Sequence, residues 1–160
     1  MDIVLRKEIN DFITGSSIAV LATLAPDGSP QAGIVFYYTD GEGHIYFATA
    51  KDSRKLINIQ KQPQVALVIG HDVNPTELQI EGKATELTDD AKINEVIGKI
   101  AIISNSNPKT AGWPPLLSLS MKSGVTCVVI AIERFKYSNF TVHPGAIVTG
   151  SMKDLLFQQS

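Results

Sequence analysis

Tyr46-Phe-Ala-Thr49-Ala-Lys-Asp-Ser53-Arg54-Lys55-Leu-Ile-Asn58-Ile59 reads as a β-strand that passes through a short turn into the start of a helix. Aromatic and β-branched residues favour the strand, and Leu56 and Ile59 recur at helical spacing behind Ser53. A helix N-terminus leaves backbone N–H groups free and carries partial positive charge. Here Arg54 and Lys55, with the hydroxyls of Thr49 and Ser53, stand beside it, which is the chemistry of a phosphate site. A plainer reading is also open: Asp52 as an ordinary N-cap, with Lys51, Arg54 and Lys55 forming a solvated helix face. Local chemistry does not choose between the two.

The surroundings bound the answer. The chain has 160 residues, 44% hydrophobic and 19% charged, which suits one globular domain over 1–160 with a usable core. A net charge of −2 lacks the basic footprint of a general nucleic-acid binder, so no nucleic-acid partner is expected. One cysteine excludes an internal disulfide and a cysteine-cluster metal site. Cys127 opens the apolar run Cys127-Val-Val-Ile-Ala-Ile132, which marks it as a buried, inert thiol. The N-terminal Asp2, Arg6, Lys7 and Glu8 leave no apolar signal core, and no apolar stretch nears the roughly 20 residues that span a bilayer. The expected location is cytoplasmic, with no membrane partner.

Outward from the opening stretch, residues 2–14 are predicted helical, with Leu5, Ile9 and Phe12 on one face. Strands are expected at Ile18–Leu24, Gly33–Tyr38 and His44–Thr49, separated by Pro26-Asp-Gly28-Ser-Pro30 and Asp40-Gly-Glu-Gly43. A helix from about Asp52 to Lys61, stopped by Pro63, leads into a strand at Gln64–Gly70. Residues 77–86 alternate, with Leu78, Ile80 and Ala84 on one face; Leu87 is out of phase and suggests a bulge near Thr85. Ile93, Val96, Ile97 and Ile100 mark a helix over 89–103, and the last long strand is Val125–Phe140, with Val129, Ala131, Phe135 and Tyr137. The tail from His143 is left unassigned. Without βαβ alternation, the pattern is that of a small closed or split antiparallel barrel; only 44–70 leaves room for a parallel pairing.

The combined order resembles a known family. Ile18-Ala-Val-Leu-Ala-Thr23, the turn Pro26-Asp-Gly28-Ser-Pro30-Gln, Ile34–Tyr38, Thr49 four residues before Ser53-Arg54-Lys55, the helix ending at Pro63, and Leu78-Gln-Ile-Glu-Gly82 resemble the pyridoxamine 5′-phosphate oxidase-like, FMN-binding split-barrel family. The resemblance covers roughly residues 5–87 well and the remainder loosely. It implies a mainly β fold, a six-stranded antiparallel split β-barrel of Greek key type with peripheral α-helices. It implies an FMN-dependent oxidoreductase, with deazaflavin as the alternative cofactor, or a non-catalytic flavin- or deazaflavin-binding module. It also implies a homodimer with flavin at the interface and a small-molecule substrate of unknown identity. Carried over by position, Ser53, Arg54 and Lys55 hold the FMN phosphate, and Thr49 faces the flavin or its phosphate. Ile34–Tyr38, including Val35 and Phe36, lie along the isoalloxazine, and Glu77 contributes a polar contact from the partner subunit. Two departures stand out: Gly33-Ile-Val-Phe-Tyr-Tyr38 lacks the Arg and Lys of the true oxidases, and the chain ends without their Arg-rich motif. Vitamin B6 phosphate oxidation is therefore not the expected activity.

Other residues have plain readings. Trp113, between Gly112 and Pro114, is a packing anchor first and a cover for the flavin edge second. His44, His71 and His143 show no metal-ligand spacing, so no metal is expected. Glu77, Glu81 and Glu86 read as the solvated side of a strand. Ser104, Ser106, Ser118 and Ser120 accompany no Asp-His pattern, and no catalytic residue is assigned.

Overall fold

The computed structural model describes residues 1–70, 75–106, 124–142 and 144–155. Trp113, His71, His143, Ser118 and Ser120 lie outside the described residues. In chain order the elements are α1 (Ile3–Gly15), β1 (Ile18–Leu24), β2 (Pro30–Thr39), β3 (His44–Ala50), α2 (Arg54–Lys61), β4 (Gln64–Ile69), β5 (Thr76–Glu86), α3 (Asp90–Ser106), β6 (Val125–Asn139), β7 (Ala146–Ser151) and α4 (Met152–Leu155).

Two hairpins join β1, β2 and β3, and β4 returns beside β1, giving the Greek key order β4-β1-β2-β3. The sheet continues through β5 to β6, and pairing of β3 with β6 closes a six-stranded barrel. β7 adds a seventh strand along the second half of β6, in the segment the sequence left unassigned. Every pairing among the described residues is antiparallel. The unit at 44–70 therefore forms no parallel pair: β4 runs antiparallel to both β1 and β5.

The barrel opens at one seam. β2 and β3 pair only over Tyr37↔Phe47, Tyr38↔Tyr46 and Thr39↔Ile45. Beyond that, β2 from Pro30 to Phe36 has β1 as its one partner among the described residues, while β3 from Ala48 to Ala50 pairs with β6. The chain leaving β3 turns across this opening into α2.

Alternation fills the interior. Leu21, Val35, Tyr37, Ile45, Phe47, Leu67, Leu78 and Ile80 are buried in one cluster. α1 closes one end through Ile9 and Ile13; the Tyr37 hydroxyl donates to the Ile13 carbonyl at 2.6 Å, and burial pushes its pKa up. α2 closes the other end through Leu56 and Ile59, each contributing about 1.5–3 kcal/mol by leaving water. α3 covers an outer face, where Val96 and Ile100 pack on Phe36, Tyr46 and Cys127. Burial pushes the Cys127 thiol up to about 12, which leaves it protonated and inert.

The bulge expected near Thr85 lies elsewhere. Glu81 pairs with Arg134 and Gly82 with Ile132, so the extra residue is Glu133 of β6. Leu87 leaves the phase of β5 because the strand ends at Glu86; its N–H caps the Cys127 carbonyl at 2.8 Å and its side chain packs near α3. The bulge also corrects the facing of β6. Val128, Ile130 and Ile132 point inward before it, Phe135 and Tyr137 after it, and Ala131 is exposed.

Candidate functional site

The site forms where β3 parts from β2. Ser53, not Asp52, is the N-cap of α2: its Oγ accepts from the Leu56 N–H at 3.3 Å, and the helix begins at Arg54. The Thr49 hydroxyl donates to Ser53 Oγ at 2.8 Å, fixing the end of β3 against the helix start. With two hydrogen bonds accepted, the Ser53 hydroxyl keeps its own proton to donate.

Arg54 and Lys55 therefore occupy the first two helical positions, with no acidic residue in the first turn. Two cations at the positive end of a helix oppose its dipole, by about 0.3–1 kcal/mol each where exposed. Burial first, and the charge of Arg54 second, hold the half-buried Lys55 ammonium below its ordinary pKa. Among the described residues no carboxylate pairs with either cation. An anion seated here relieves all three costs.

Both cations line a cavity of about 240 Å³, together with Leu21, Thr23, Gln31 and Gly33. The wall from β2 comes from its half-paired stretch, so this strand offers backbone groups at an open edge. Behind the wall, the buried Asn58 of α2 donates from Nδ2 to Thr23 Oγ1 at 2.9 Å and to Gln31 Oε1 at 3.0 Å. Thr23 also borders a second cavity of about 360 Å³, which runs along Ala22, Leu24, Ala66, Glu81 and Arg134 on the outer barrel face.

The remaining sequence-derived residues are dispersed. Val35 faces the barrel core and Phe36 the underside of α3, at 5% and 4% exposure, so neither side chain reaches the cavity. Glu77 sits at the far end of β5, where it accepts from Gln79 Nε2 at 2.8 Å. The register runs Ala22↔Ala66↔Glu81, which places Glu77 about 13 Å further along the strand, away from Thr23. Trp113 lies outside the described residues.

The model of the pyridoxamine 5′-phosphate oxidase family matches residues 5–138, a span that includes β1–β5, all but the last residue of β6, and the cavity. The chain belongs to the pyridoxamine 5′-phosphate oxidase family. Solved structures share its architecture. A Clostridium acetobutylicum protein related to general stress protein 26, itself described as of the pyridoxinephosphate oxidase family, is 17% identical; the match covers 98% of this chain and 100% of that one, with a TM-score of 0.72. HutZ, the heme storage protein of Vibrio cholerae, is 18% identical over 79% of this chain and 89% of its own, with a TM-score of 0.63. An F420 reductase is 22% identical over 79% of this chain and 94% of its own, with a TM-score of 0.61. At such identities the likeness shows the fold alone.

This member of the pyridoxamine 5′-phosphate oxidase family also carries polar groups that sequence reasoning missed. Asn58 was readable as the one polar residue among the buried positions of α2, but its partners Thr23 and Gln31 lie 35 and 27 residues away. A second cluster gathers at the β2–β3 turn. Asp40 accepts from the Glu42 N–H at 2.8 Å, from His44 Nδ1 at 2.9 Å and from the Tyr46 hydroxyl at 3.1 Å. Burial raises the Asp40 carboxyl, but these hydrogen bonds outweigh it and hold the group below its ordinary pKa. Burial and the Asp40 charge push Tyr46 up to about 12. Its ring stacks on Tyr38 at 5.7 Å, with Lys92 and Lys99 of α3 lying 5.1 and 5.8 Å from the two ring centres. Among the described residues, no helix is long and apolar enough to cross a membrane.

Proposed function

We propose that the chain is an FMN-dependent oxidoreductase that acts on a small molecule other than pyridoxamine phosphate and works as a homodimer. One observation carries the reading: two cations at a helix N-terminus, with no carboxylate partner among the described residues, face a cavity whose neutral wall also offers donors. Arg54, Lys55 and Ser53 would hold the FMN phosphate. The open edge of β2 would meet the ring system through its backbone, and Thr23, which borders both cavities, marks the path from the phosphate to the outer groove. When bound, FMN supplies the hydride chemistry; the protein supplies binding, orientation and exclusion of water. Gly33 lines the cavity without a side chain where a cation would strengthen the phosphate grip, which supports a cofactor affinity weaker than that of the vitamin oxidases.

The homodimer is supported by two features. The outer groove continues as a further cavity of about 350 Å³ over Val68, Gln79, Arg134 and Lys136, giving a long concave face on β4, β5 and β6. Glu77, remote from the cavity of its own protomer, would reach a cofactor only from a second copy.

A second reading is a non-catalytic flavin- or deazaflavin-binding module. It is favoured by the lining of the anion cavity, where Lys55 alone carries a proton that titrates. The F420 reductase and the heme storage protein extend the same comparison to other cofactors. The absorption spectrum of purified protein tests both readings. A yellow protein that releases FMN on heating and oxidises a nicotinamide donor bears out the oxidoreductase. FMN release without turnover favours the module, and failure to take up either FMN or F420 overturns both.

A further inference from the structure

We infer that Gln31 and Thr23 donate hydrogen bonds directly to the oxygens of a bound phosphate monoester, and that buried Asn58 is the positioning residue that makes them donors. The inference rests on the phosphate reading of the cavity and deepens it. Thr and Gln are ambivalent groups, since each can present either a lone pair or a hydrogen to a ligand. Asn58 removes that choice. It sits behind the cavity wall at 2% exposure and spends both hydrogens of Nδ2 on its two neighbours, one on Thr23 Oγ1 and one on Gln31 Oε1. The Thr23 hydroxyl, having accepted, keeps its own hydrogen. Gln31, with its carbonyl oxygen held from behind, turns its NH₂ the other way. Both residues line the cavity with Arg54 and Lys55, and among the described residues neither has an acceptor for the hydrogens left over.

This wiring does what a further cation does not. A third positive charge would add to the mutual repulsion of Arg54 and Lys55 while the cavity is empty of anion. Neutral donors add direction without that cost, and they select an anion by geometry where the cations select by charge. An isolated buried Asn is expensive unless satisfied; an apolar residue between Leu56 and Ile59 would close the barrel end with less demand. The arrangement gains its use only when an anion arrives.

The test compares FMN with riboflavin, which has the same ring system without the phosphate, by quenching of flavin fluorescence. Gln31→Ala raises the Kd for FMN about tenfold, the share of one hydrogen bond to a charged group, and leaves riboflavin unchanged. Gln31→Glu keeps the shape but faces the phosphate with a carboxylate, and weakens FMN further. Asn58→Leu produces the same selective loss although it touches no ligand, and combined with Gln31→Ala it adds little. A merely structural role would weaken both flavins alike. The inference is overturned if Gln31→Ala and Gln31→Glu spare FMN, or weaken both flavins equally, while Arg54→Ala with Lys55→Ala abolishes the preference for FMN. In that outcome the phosphate reading survives. If the wild-type protein shows no preference for FMN over riboflavin, both readings fall.

Discussion

Two described regions of this barrel carry paired cations beside hydroxyl-bearing side chains, and they differ in what the protein leaves unused. On the α3 side, Lys92 pairs with Glu95 at 3.0 Å and lies over Tyr46, and Lys99 lies over Tyr38. The hydroxyl of Tyr46 and the ring of His44 are taken by Asp40. At the α2 end, Arg54 and Lys55 face a cavity, and the neighbouring polar groups have their acceptors occupied and their donors left over. Positive charge in sequence does not distinguish these regions. What distinguishes them is whether the protein itself consumes the interaction.

The sharpest way to break the comparison is to remove each pair of cations. Arg54→Ala with Lys55→Ala deletes two charged donors, at about 1.5–3 kcal/mol each, so the Kd for FMN rises at least about 100-fold in a fluorescence titration. Lys92→Ala with Lys99→Ala leaves that Kd unchanged and lowers stability by about 1 kcal/mol, since exposed ion pairs and cation–π contacts are weak. Equal losses of affinity from the two double variants would dissolve the distinction.

A smaller effect isolates the α3 side. Asp40→Ala strands the Glu42 N–H, His44 and Tyr46, and costs roughly 1–2 kcal/mol in urea unfolding with no change in FMN affinity. The pH dependence has a definite sign. The folded carboxyl titrates below its ordinary value of 3.8, so its contribution is whole above that value and is lost as pH falls through the lower folded pKa. The Asp40→Ala variant lacks this acid-side loss.

Gly33→Arg sharpens the α2 side from the opposite direction. A Cβ at Gly33 meets nothing within 4 Å, so the chain accepts a side chain there, and a third cation facing the cavity lowers the FMN Kd about tenfold at low salt. An unchanged Kd would show that the cavity does not hold the phosphate.

The smallest effect is in Lys55. Its folded pKa lies below the ordinary 10.5, so between those two values the unfolded chain binds more protons than the folded one. On its account, stability without cofactor rises with pH in that alkaline window, while FMN affinity falls as the ammonium loses its proton. Lys55→Met removes both slopes, which urea melts and titrations at several alkaline pH values would reveal.

Much of this was legible because its causes are local. β1 spans Ile18–Leu24 as its apolar run bounded by a turn predicts, Leu56, Ile59, Val96 and Ile100 are buried as helical spacing requires, and Ser53-Arg54-Lys55 lies at a helix start. What escaped is non-local. β7 is a short, half-buried segment whose strand character comes from pairing with β6 along one edge. The Thr23–Asn58–Gln31 bridge joins three elements and has no spacing to read. The bulge had a signal that local reading passed over: Ile132 and Phe135 both face inward at an interval of three, where an unbroken strand keeps an interval of two.

That bulge gives β6 a reading frame. Glu133 is the residue outside the count; removing it would set Ile132 beside Arg134 in unbroken alternation, so Phe135 and Tyr137 would keep facing the core and the strand would lose only its local bend. A substitution at Glu133 alters one exposed side chain and its 3.4 Å contact with Lys83. A deletion beyond the bulge, at Lys136, turns Tyr137 toward water and disturbs the pairing that β5 and β7 both depend on. Along this strand the bulge is the place where a residue can be lost without exchanging the two faces.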